Sequence, residues 1–186
     1  VTNFGNYMDT DASGKVSILV YNLPDGWAGK GGYIAGYFSA ADLVNMYSNS
    51  TKNNMPMIHI DVYPAMGTNP STYNPSETYS TLVHEFQHMI NYSIGYSQNR
   101  NFPYFSQDTY INEMCSMAAE DMFYNGIKED RLGLYNSADY GPYIAAGHSL
   151  TQWDGSNPLP NYSLSYLLGQ YLVAQTGSYN IFSNIA

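Results

Sequence analysis

The stretch His84-Glu85-Phe86-Gln87-His88 constrains the fold more than any other part of this chain. Two histidines four apart on a helix lie one turn above each other on one face, close enough to hold one metal ion from two directions. Glu85 falls on the adjoining face, where a carboxylate can take a proton from a metal-bound water and pass it to a leaving amine. The segment carries the marks of a helix. Asn74 is placed as N-cap, Pro75 as the first helical residue and Glu77 as the return arm of a capping box. From there Tyr79, Leu82, Val83, Phe86, Met89 and Ile90 recur at helical spacing and predict the buried face, and Gly95 predicts the stop. The whole chain has 4 His. A helix that only packs has no use for two of them flanking a carboxylate, whereas a metal site uses all three.

A chain of 186 residues can bury a real core, and one domain with two sub-lobes, about 1–95 and 96–186, is the expected organisation. The formal net charge of −9 argues against nucleic-acid phosphates as a partner. Charged residues are 11% of the chain while Tyr alone contributes 20, a neutral, aromatic composition that suits a secreted or cell-surface bacterial protein. With 1 Cys no internal disulfide can form, and Cys115 reads as a small buried side chain. No apolar run reaches the length of a membrane span and no basic-plus-apolar leader precedes Val1, so the sequence reads as an excised or processed portion of a protein, expected to be monomeric.

Asp9-Thr10-Asp11-Ala12-Ser13-Gly14 spaces the oxygens of Asp9, Asp11 and Ser13 at alternate positions ahead of a glycine, as a calcium loop begins. Val20 stands where such a loop ends in Glu, which favours a polar turn before a strand from Val16 to Tyr21, with calcium as the second reading. Gly31 to Phe38 predicts a strand, and Gly32, Tyr33, Ile34 and Ala35 are the first candidates for an edge that binds a substrate main chain. A hairpin strand with no ligand is the equal alternative. A short helical pattern runs through Leu43, Val44 and Tyr47. Met57 to Tyr63 reads as a strand with Ile58, Ile60 and Val62 on one face and Met57, His59 and Asp61 on the other, His59 being more often a half-buried neighbour than a pocket residue.

After a polar loop with Arg100 and Pro103, a second helix is predicted from about Tyr110 to Tyr124, closing at Gly126. Two histidines leave a zinc ion underfilled, and a catalytic site has three protein ligands plus water. Glu113, Glu120, Asp121 and His148 are the downstream candidates for the third. Trp153-Asp154-Gly155 and two prolines mark a loop, followed from Tyr162 by a helix that ends near Gly177.

His-Glu-x-x-His followed by a helix bearing Asn112-Glu113 resembles the gluzincins, the clan that includes thermolysin and its aminopeptidase relatives. More closely, HEFQHMIN at 84–91, INEMCSMAAED at 111–121 and GGYIAGYF at 31–38 resemble the hyicolysin family of bacterial secreted zinc metallopeptidases. The resemblance implies Glu113 as the third zinc ligand. Where thermolysin orients a ligand histidine with an Asp one turn after its ligand Glu, this chain has Met117; Glu120, two turns on, is the better candidate for that role and Asp121 the runner-up. By the aminopeptidase branch Tyr162 is the expected oxyanion donor, and by thermolysin itself His148 is.

The resulting expectation is an α+β, zincin-like fold, with a small twisted sheet and the metal helix in the first half and a mainly helical second half. Its function would be endopeptidase action on protein or peptide substrates, with zinc held by His84, His88 and Glu113 and with Glu85 as base and acid. Aminopeptidase action would need an acidic anchor for the substrate amine, which nothing near Gly31 to Phe38 provides. The reading from another class is a secreted carbohydrate-binding or adhesive module with a structural metal, which would have no need of Glu85.

Overall fold

A computed structural model describes residues 4–44, 53–98 and 108–185. Tyr47 and the loop with Arg100 and Pro103 lie outside the described residues. The described residues group into two compact units, one drawn from residues 7–105 and one from residues 1–6 and 106–186. Both helix and strand are present, and the architecture is mixed α and β.

The first unit holds a three-stranded sheet of β1 (Ser17–Tyr21), β2 (Gly36–Phe38) and β3 (Met57–Asp61) in the order β1-β3-β2. β3 is central, parallel to β1 and antiparallel to β2. Its alternation puts Ile58 and Ile60 into a core with Leu43, Val44, Met66, Met89 and Tyr92, against which Leu82 and Phe86 of the long helix pack. The opposite face of β3 is buried as well. His59 is 6% exposed, bonded through Nε2 to Asp42 Oδ2 at 2.7 Å and stacked on the Tyr37 ring at 4.3 Å. It ties the short helix α1 (Ala40–Leu43) to the sheet, which is the neighbour role rather than the pocket role. Desolvation, with help from the Tyr21 hydroxyl, pushes the Tyr37 phenol up to about 12.

The predicted strand from Gly31 is shorter than expected. Gly32, Tyr33, Ile34 and Ala35 precede β2 as irregular chain, and the Ile34 N–H is drawn away to the Asp25 carboxylate at 2.8 Å. At Gly36 the glycine is required by space, since a Cβ there would lie 2.7 Å from the His59 carbonyl oxygen and 2.8 Å from Thr81 Cγ2. Gly36→Ala is therefore expected to destabilise the protein by about 1–3 kcal/mol in urea unfolding, because a backbone carbonyl cannot step aside as a flexible side chain can. A loss under about 0.5 kcal/mol would show that β2 moves freely.

The helix α2, which carries His84, Glu85 and His88, spans Tyr79–Gln98 and is preceded by a 3-10 turn, Pro75–Thr78. Asn74 caps that turn by accepting from Ser76 N, and its side-chain amide donates to Glu77 Oε1 at 3.1 Å, so Glu77 meets the cap's side chain rather than its backbone. Gly95 does not stop the helix; it is buried within it. Tyr79 is exposed rather than core, and the inward face is carried by Met89, Ile90 and Tyr92 with the reciprocal amide pair Gln87 and Asn91.

The second unit is helical: α3 (Thr109–Tyr124), α4 (Glu129–Asn136), α5 (Gly141–Ala145) and α6 (Leu159–Thr176). α3 is buried without interruption from Met114 to Asp121. It ends at Asn125 in the left-handed region (φ 53°), one residue before the expected glycine. Cys115 is fully buried and desolvation raises its thiol to about 12, which makes it inert packing. α6 starts at Leu159, three residues earlier than expected, and ends at Gly177 with φ 68°. Its inward side is built from Asn161, Ser163, Ser165, Tyr166 and Gly169, small or polar groups that let α3 come close: a Cβ on Gly169 would sit 3.1 Å from Met114 Cγ. Phe4 stacks on Phe182 at 5.8 Å within this unit. Among the described residues no helix is long and apolar enough to cross a membrane.

Candidate metal centre

α2 brings His84, Glu85 and His88 together so that one ligand atom from each lies within 4.8 Å of the others. The two imidazole rings are 4.7 Å apart at 83°, as i and i+4 side chains on one helix face must be, and both residues are half-buried while Glu85 is 9% exposed. Two nitrogen donors and a carboxylate at this separation can hold a metal ion, and the set suits zinc.

Glu85 is fixed from outside its own helix. Its Oε2 accepts the backbone N–H of Phe38 on β2 at 2.9 Å. The N–H of an edge strand that faces away from its ladder partner needs an acceptor, and here the carboxylate between the two histidines supplies it. The sheet thereby sets where that carboxylate points, a link that no motif could show because it depends on the β2 register against β3.

The other residues singled out from sequence belong to other elements. Glu113 is half-buried on α3 of the second unit. The Glu120 carboxylate is paired with the Lys128 ammonium. Asp121 is 1% exposed and accepts from Tyr166 Oη at 3.0 Å, Gln170 Nε2 at 2.5 Å and Lys128 N at 3.1 Å. Desolvation is the largest influence on its carboxyl and holds the pKa above the usual range against those hydrogen bonds. Around Asp9, Asp11 and Ser13 the side chains close their own turn, Asp9 Oδ2 accepting from Gly14 N at 2.9 Å and Asp11 Oδ1 from Ser13 N at 3.1 Å. Tyr162 lies inside the first turns of α6 rather than ahead of it, edge-on to Trp153 at 5.1 Å with the Arg131 guanidinium over its ring at 5.2 Å.

His148 is held by a residue that sequence reasoning missed. Asn161, fully buried on α6, donates from Nδ2 to the carbonyls of Ser149 (2.9 Å) and Gln152 (3.1 Å) and accepts at Oδ1 from the Asp154 N–H (3.1 Å). Those three bonds fix which end of the amide is oxygen. The His148 nitrogen 3.0 Å from Oδ1 is Nε2 and must be a donor, so neutral His148 carries its proton there and presents a bare Nδ1 lone pair. In the sequence Asn161 falls at the end of the loop read ahead of Tyr162, with nothing to mark it as buried.

No protein-family model matches the chain. Over 174 residues it is 38% identical to the neutral metalloprotease ShpI of Staphylococcus hyicus, an alignment covering 93% of this chain and 38% of that relative. This chain is similar to part of a bacterial metalloprotease. It spans well under half of that relative's length.

Proposed function

We propose that this chain is the catalytic portion of a secreted bacterial zinc endopeptidase of the gluzincin clan, hyicolysin-like, with a zincin-type fold. The observation that carries this reading is the carboxylate of Glu85, buried between two histidines on α2 and pinned at one oxygen by the Phe38 N–H. A structural metal site has no need of a fixed carboxylate with its second oxygen available, whereas hydrolysis does. Similarity to a neutral metalloprotease supports the same reading.

In this proposal His84, His88 and Glu113 hold the zinc, Glu113 on the strength of the family resemblance. When bound, zinc supplies Lewis-acid polarisation of the attacking water and the scissile carbonyl. Glu85 Oε1 takes the water proton while Oε2 stays on Phe38, and the same oxygen then delivers that proton to the departing nitrogen as the C–N bond breaks. Tyr162 donates to the oxyanion. Neutral His148 has no second N–H to offer, because Nε2 is committed to Asn161. Glu120, or Asp121 as runner-up, supports a ligand imidazole. The substrate is an extended peptide.

Metal removal tests the whole reading. Treatment with 1,10-phenanthroline is expected to abolish hydrolysis of casein and of end-blocked peptides, and about one equivalent of zinc should restore it. Casein hydrolysis that persists with the metal stripped away would sink the proposal. Cleavage confined to free-amine peptides would move it to an aminopeptidase.

A further inference from the structure

The second unit carries an open cavity of about 580 Å³ whose lining includes Tyr143, His148, Gln152, Trp153 and Asp154. Its polar side chains include the Asp154 carboxylate, its one ionised acid, together with the His148 imidazole, the Gln152 amide and the Ser149 hydroxyl. In its neutral form His148 presents the Nδ1 lone pair, for the reason given above. Asp154 accepts from Ser156 N at 2.9 Å, Ser156 Oγ at 2.6 Å and Asn157 N at 3.3 Å, all at Oδ1, and among the described residues no hydrogen bond reaches Oδ2. Those bonds, the Ser156 hydroxyl first, keep its carboxyl below the usual range and therefore ionised at neutral pH. Tyr143 stands beside the imidazole at 4.7 Å, is 47% exposed and offers a ring face. Among the described residues no Lys or Arg lines the cavity; Arg131 lies over Tyr162 and is not part of the wall.

The loop that forms this wall is built, not draped. Asn161, fully buried, makes four hydrogen bonds to it, spanning His148 to Asp154. A wall with one carboxylate, further acceptor oxygens and aromatic faces, held in place from below, matches a group that is cationic and rich in N–H donors. We propose that this cavity is a binding site for a basic side chain, an Arg or Lys presented by a peptide. The site is independent of the metal-centre reading, since nothing in its construction uses α2. In a peptidase, a site of this chemistry selects substrates by positive charge.

The test is a titration of the ¹⁵N-labelled, metal-loaded protein with Nα-acetyl-arginine amide and with Nα-acetyl-citrulline amide, which has the same shape without the charge. The arginine compound is expected to shift the Trp153 indole and the Ser149 and Asp154 amides, and to bind roughly fivefold or more tightly than the citrulline compound. Asp154→Asn keeps an Oδ1 acceptor for the Ser156 turn, so the fold should survive while the preference for arginine disappears. Tyr143→Leu, at an exposed position, should weaken arginine binding about twofold to fivefold without unfolding anything. Equal affinity for the two compounds, shifts that avoid the cavity, or a preference unchanged in Asp154→Asn each overturn the proposal. Because the readout is binding, it stands or falls whether or not the protein cleaves peptides.

Discussion

Casein hydrolysis is expected to fall by roughly two to four orders of magnitude when Glu85 is replaced by Gln, with the bound metal and the folded state unchanged. The substitution is conservative where structure is concerned. A Gln Oε1 can take the Phe38 N–H that Glu85 Oε2 takes now, at 2.9 Å, so the tie between α2 and β2 survives. Only the ability to accept and return a proton is lost. Metal content by mass spectrometry, circular dichroism and kcat/KM on the same preparation separate the outcomes. A variant that keeps zinc and keeps most of its activity would remove Glu85 from the mechanism and return the adhesive-module reading to consideration. A variant that loses zinc would instead show that the carboxylate helps retain the ion.

The largest effect on stability is expected at Asp121. Its buried carboxylate gathers the Tyr166 hydroxyl, the Gln170 amide and the Lys128 backbone N–H, and so joins α3, α6 and the turn before α4. Truncation to Ala removes the acceptor and strips the Tyr166 hydroxyl and the Gln170 amide of it, while Lys128 N keeps the Tyr166 oxygen, which should cost about 3–5 kcal/mol. Tyr166→Phe removes one of those bonds and the one that Lys128 N donates to the hydroxyl, and should cost about 1–2 kcal/mol. Urea unfolding of both variants checks the ranking. If Asp121→Ala loses under 1 kcal/mol, the cluster is not the hub that its geometry implies. The raised pKa gives the sign for pH: the ionised carboxyl is disfavoured in the fold, so the Asp121 contribution is greatest below the unfolded carboxyl range and declines as pH rises through the folded value.

Helix existence was legible in the sequence where it rested on periodicity. α2, α3 and α6 were all anticipated, since a run of apolar residues at three-and-four spacing has few other solutions. Their ends were not. Gly95 looks like a stop, yet it is a buried position within α2, and Tyr162 looks like a residue ahead of a helix that in fact starts at Leu159. Packing decides such positions, and packing partners are remote in the chain. α4 and α5 left no apolar rhythm to find. The inward side of α6 was hidden for a related reason: it is made of Asn161, Ser163, Ser165 and Gly169, so the residues that look like core, Leu164, Leu167 and Leu168, are only half-buried. At the site, the motif named three residues that the helix does bring together. It could not name the Phe38 backbone as the partner of Glu85, because a main-chain N–H has no signature in sequence. The same is true of the tautomer of His148, which follows from hydrogen bonds to carbonyls.

β2 is three residues long and lies at the border of its sheet, and such strands are the first to fray. One of its amides is the clasp on the proposed proton carrier. Opening this strand by a single hydrogen bond would leave the metal ligands in place and the helix intact, yet release the carboxylate to wander. Warming should therefore silence the protein some degrees before it melts, and the exchange rate of the Phe38 amide with deuterium would keep time with the lost turnover rather than with the lost helix.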